Sequence, residues 1–120
     1  MTLRRMKTYA SDQGYVYEYY FVGKRSALAG AAKSAATEYI FDASADRKTT
    51  FAVSVVLLEE AVKSWSATHG RELSDAEQYG AVKMRLFVAF DEIENLQAHG
   101  RSLEIGAEML TRLLSRLGVD

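Results

Sequence analysis

The sequence contains no cysteine. Disulfides, thiolate zinc sites and cysteine nucleophiles are therefore excluded, and a fold that needs covalent staples is excluded with them. Proline is also absent from all 120 residues, which removes the ordinary cis-peptide switch and the commonest rigid loop device. No run approaches the ~20 apolar residues of a membrane helix. Arg4, Arg5 and Lys7 are not followed by the apolar segment of a signal peptide, so a cytoplasmic protein without a membrane association is expected. Charge of one sign is lacking as well: 15 Lys and Arg against 16 Asp and Glu leave a net charge of -1, unlike a basic nucleic-acid tail or an acidic disordered segment.

Apolar residues make up 48% of the chain, enough for one ordinary globular domain spanning 1–120. Residues 1–13 are polar and aperiodic and read as a flexible N-terminal tail. Tyr15 to Val22 then runs Tyr-Val-Tyr-Glu-Tyr-Tyr-Phe-Val, a concentration of aromatic and β-branched residues that predicts a strand. With period two, Tyr15, Tyr17, Tyr19 and Phe21 share one face and Val16, Glu18, Tyr20 and Val22 the other, so this strand is expected to be covered on both sides. Residues 23–37 combine alanines at helical spacing with Gly30 and read as a mobile connection with one or two helical turns. Alternation returns over Glu38–Ala45 and Thr49–Leu57, predicting a hairpin across Asp46, Arg47 and Lys48.

From Leu58 the period lengthens to that of a helix ending at Gly70, with Trp65 as its anchor. The stretch Ser74–Ala98 predicts a long amphipathic helix, opened by the capping box of Ser74 and Glu77 and closed by a left-handed Gly100. A last helix over 102–117 carries leucines on one face. Strands followed by helices predict an α+β fold, a three-stranded antiparallel β-meander with three helices packed on one face.

No Walker loop, dinucleotide glycine turn, nucleophile elbow or His-Glu-x-x-His stands in the chain, and the reading is non-enzymatic, without cofactor or metal. His69-Gly70-Arg71-Glu72-Leu73 and His99-Gly100-Arg101-Ser102-Leu103 echo one another. Helix-ending geometry accounts for that echo better than a pair of metal ligands, which would need nearby carboxylates at the right spacing.

A three-stranded sheet offers three helices little to pack on, so surplus apolar surface predicts a self-associating interaction module, a homodimer above all and another protein partner second. Met84, Phe87, Val88, Leu110, Leu113, Leu114 and Leu117 are its candidate surface. The alternative is a nucleic-acid-binding domain in which bases stack on Tyr15, Tyr17 and Tyr19 while Lys24, Arg25, Arg47 and Lys48 hold phosphates. Residues 1–56 carry eight Lys and Arg against five Asp and Glu, and residues 57–120 seven against eleven, an asymmetry that serves either reading. Pockets that bind small ligands are mostly apolar with a few polar tips, so a cavity among the tyrosines is the third possibility.

Overall fold

The computed structural model describes residues 6–120. Five strands, β1 (Lys7–Ala10), β2 (Val16–Ala29), β3 (Ser34–Ser44), β4 (Phe51–Leu58) and β5 (Ser102–Ile105), form one sheet in sequence order. The first four are antiparallel neighbours, and β5 pairs parallel to β4. Helices α1 (Glu59–His69), α2 (Asp75–Glu92) and α3 (Leu96–His99) lie between β4 and β5, and α4 (Ala107–Arg116) follows. The α+β class stands; the sheet has two more strands than the meander expected from periodicity.

One face of the sheet is the core. Tyr17, Tyr19, Tyr39, Phe41, Val53, Val55, Leu103 and Ile105 are buried on it, and α2 brings Val82, Leu86 and Phe90 to complete the interior. Aromatic rings fix the register between layers: Tyr17 stacks on Phe90 at 4.2 Å, and Phe21 meets Tyr79 at 5.0 Å. Offset and tilted pairs of this kind add about 0.5–1.5 kcal/mol each beyond their burial. The opposite face is not covered as the sequence led us to expect: Val16 and Val22 remain 44% and 48% exposed.

A bulge at Val22 reconciles two apolar patterns. Phe21 pairs with Phe41, whereas Gly23 pairs with Ile40, so the side-chain alternation inverts between them. Phe21 thus keeps its place among the aromatics, and Arg25 comes opposite Glu38 on the outer face, where the two form a 2.7 Å ion pair. Without the extra residue, Arg25 would be turned towards the helices.

Residues 23–37 are not a helical connection. They continue β2, turn through Gly30 and Lys33 with φ of 76° and 50°, and begin β3. Within the expected N-terminal tail, Lys7–Ala10 forms β1; residues 1–5 lie outside the described residues.

The capping box of α2 is present as the sequence implies: the Ser74 hydroxyl accepts from the Glu77 amide, and the Glu77 carboxylate accepts from the Ser74 amide. Arg71 pairs with the same carboxylate at 2.9 Å. The helix itself stops at Glu92, and Asn95, with φ of 54°, turns the chain into α3. Gly100 ends α3 with φ of -135°, outside the left-handed region. Its lack of a side chain serves close packing instead, because a Cβ there would collide with the end of Leu96 and lie 3.0 Å from Ile93 Cδ1. The expected helix over 102–117 divides into β5 and α4. The final helix rests on α1 and α2.

Candidate functional site

The helical residues expected to face another copy are divided by the fold. Leu110, Leu113 and Leu114 are buried within the chain itself, because α4 packs its leucine face onto α1 and α2. Met84, Phe87 and Val88 are half-buried against the core. Leu117 is 41% exposed, and its Cδ1 would lie 3.3 Å from a Cβ at Gly80. Leu110, Leu113 and Leu114 are thus taken up inside the chain, while Met84, Phe87, Val88 and Leu117 keep part of their surface open.

The tyrosine platform is divided too. Tyr17 and Tyr19 are 3% and 5% exposed, while Tyr15 at 53% offers its ring to solvent. Burial pushes the Tyr17 and Tyr19 phenols above their ordinary pKa, as it does for Tyr39 and Tyr79. The basic residues do not gather around them. Lys24 sits over the Tyr39 ring at 5.7 Å, Arg25 pairs with Glu38, and Arg47 reaches Glu18 at 3.9 Å. Lys48 lies in the β3–β4 turn, at the other end of the strands from the β2–β3 turn. Glu38 is itself held below the usual carboxylate range, first by the Ser54 hydroxyl and then by Arg25.

Sequence reasoning missed the tip of the β2–β3 hairpin. β4 joins β3 only from Ala36 onward, and β1 joins β2 only up to Tyr19. Residues 26–35 therefore project as a two-stranded arm with both edges open among the described residues. Its composition is small and apolar, Ser-Ala-Leu-Ala-Gly-Ala-Ala-Lys-Ser-Ala. Leu28 is 70% exposed at its end. Beneath the arm lies a groove of about 400 Å³ lined by Leu28, Ala35, Thr37, Leu57, Glu59 and Val62 among others. The small side chains of the arm leave this space open. The available signal was Gly30, which marks a hairpin turn as readily as it weakens a helix.

A second opening of about 320 Å³ lies at the opposite end of the sheet, where the β1–β2 and β3–β4 turns meet the α2–α3 junction. No protein-family model, curated protein or solved structure matches this chain. The surfaces themselves are thus the guide to function.

Neither histidine joins a metal-binding cluster. His69 stacks on Trp65 with ring centres 4.0 Å apart and places Nδ1 2.9 Å from the Trp65 carbonyl. His99 lies at the end of α3, exposed. Among the described residues, no three His, Asp or Glu side chains come together in a way that could hold a metal ion. No described helix is long and apolar enough to cross a membrane.

Proposed function

We propose that this chain is an interaction module that self-associates through the β2–β3 arm, with a second copy of itself as the partner. The observation carrying this reading is Leu28, 70% exposed on an arm that overreaches the rest of the sheet. On the helix side of that arm is the open groove floored by Leu57 and Val62. Arm and groove are adjacent on one chain, so a two-fold arrangement lets each copy place its arm in the groove of the other, the self-complementary form that symmetric dimers take. Charge supports the match: Lys33 stands at the arm's turn and Glu59 lines the groove, and neither forms an ion pair with another described residue.

Light scattering coupled to size exclusion tests this directly. A dimer that persists in high salt is the expected result, since the contact is mainly apolar. Replacing Leu28→Glu puts a charge at the centre of that contact and should weaken association roughly thirtyfold or more, the equivalent of losing about 2 kcal/mol at an interface anchor. The monomer fold should be unaffected, because Leu28 contributes little to the core. A wild-type chain that stays monomeric at high concentration would end the proposal.

A further inference from the structure

We infer that the cavity at the turn end of the sheet binds a small organic cation of the alkylated ammonium type. Three aromatic residues line it, Tyr15, Tyr17 and Phe51, together with Glu94, Leu96 and Gln97 among others; Tyr15 offers an exposed ring, while Tyr17 and Phe51 are buried in its wall. Aromatic faces carry negative quadrupolar charge and attract cations, quaternary ammonium groups among them. A carboxylate at the edge of such a group adds attraction for positive charge and offers nothing to an anion. The volume of about 320 Å³ is at the lower end of the range for small-molecule sites.

The cavity is held in shape from several sides. Tyr17 is stacked on Phe90 at 4.2 Å with the rings nearly parallel. Tyr15 stands edge-on to Tyr17, with centres 6.3 Å apart. Phe51 and Leu96 are buried, so the apolar part of the lining belongs to the core rather than to loose loops. Asn95 adopts the left-handed conformation at the α2–α3 junction, which asparagine tolerates better than most residues. Its neighbours Glu94 and Gln97 thereby reach the rim.

Nearby charge favours a cation. Glu94 makes no ion pair with another described residue. In the adjoining β3–β4 turn, the Asp46 carboxylate is engaged by the Lys48 and Thr49 amides, and Arg47 points to Glu18 on the outer face. Neither Arg47 nor Lys48 lines the cavity. Among the residues that do, Glu94 is the one Asp, Glu, Lys or Arg. The cavity stands at the far end of β2 and β3 from the arm, so this inference is independent of how the chain associates.

Titration of the full chain with choline, followed through the tyrosine ring signals by NMR at constant ionic strength, tests the assignment. The expected result is a saturable shift confined to Tyr15 and Tyr17, with no comparable shift from 3,3-dimethylbutan-1-ol, the neutral isostere. Tyr15→Ala and Glu94→Gln alter exposed side chains and should leave the fold intact while each weakens choline about fivefold or more, as loss of one cation–π or charge contact would. Equal binding of the neutral isostere would make the cavity merely apolar and overturn the inference. So would an absence of saturable shifts at tens of millimolar choline, or binding that both variants leave unchanged.

Discussion

Asp91 ties the N-terminal hairpin to the end of α2. Its carboxylate accepts a 2.6 Å hydrogen bond from the Tyr9 hydroxyl and a 2.9 Å bond from the Asp12 amide, while its carbonyl accepts from Gln13 Nε2. The hydrogen bond to Asp91, followed by burial, pushes the Tyr9 phenol up to about 12. Asp91→Ala strands two donors and should destabilise the chain by about 1–3 kcal/mol, measured by urea unfolding. In Asp91→Asn, the acceptor charge goes while much of the shape remains, so the Tyr9 phenol should ionise closer to its ordinary pH in a spectroscopic titration. Such a latch was not legible in the sequence. It joins residues 82 positions apart, and nothing local marks Asp91 as different from the acidic residues around it.

At the scale of elements, two glycines make opposed predictions. Gly80 lies inside α2, where a Cβ meets only Leu117 Cδ1, at 3.3 Å. Leu117 is 41% exposed and its tip can move, so the helix-propensity gain of about 0.8–1 kcal/mol should win and Gly80→Ala should raise thermal stability. Gly100→Ala should lower it by about 1–3 kcal/mol, because the new methyl collides with Leu96 and crowds two atoms of Ile93. Thermal unfolding of both variants checks the pair.

The elements also show how far periodicity reaches. The capping box of α2, the Gly70 stop of α1 and the alternation in β3 and β4 were all legible, since each is written in neighbouring residues. The break after Glu92 was harder: Ile93 and Leu96 continue the helical spacing, and Asn95 was the local sign of a left-handed turn. In β5, four residues with Leu103 and Ile105 inward fit a strand or a helix equally well. Pairing with Val55 and Leu57 decides the matter, and no local pattern contains that information. In the arm, alanine's helix propensity yields to a continuous ladder with β3. The aromatic lining of the turn-end cavity was visible only as a list of tyrosines, because Glu94 reaches it from a junction about 80 residues away in sequence from Tyr15.

For the molecule as a whole, the buried and half-buried phenols set an alkaline limit. Tyr9, Tyr17, Tyr19, Tyr39 and Tyr79 all have raised pKa values in the folded chain, Tyr9 through Asp91 and the others through burial. Each holds its proton more firmly folded than unfolded. Their contribution is complete below pH 10, the ordinary phenol value, and is lost as pH rises through the folded values. Unfolding should therefore accompany ionisation of the buried phenols Tyr17, Tyr19 and Tyr39 above pH 10 in one cooperative step, seen by absorbance and circular dichroism together. Ionisation of Tyr17, Tyr19 and Tyr39 without loss of structure would contradict this.

The parallel pairing of β4 with β5 also imposes an order of assembly. β1 to β4 can pair through successive hairpins, but Val55 must wait for Leu103, with α1, α2 and α3 all intervening. Closing so long a loop before its contacts form slows folding. During synthesis the tyrosine face of the meander consequently emerges well before the last strand that borders it. A nascent chain stalled short of Ile105 should be open to protease across β4, and one carrying an added C-terminal linker long enough to bring α4 out of the ribosome should be resistant. In the interval between those lengths, the aromatic face is a surface for chaperones to cover.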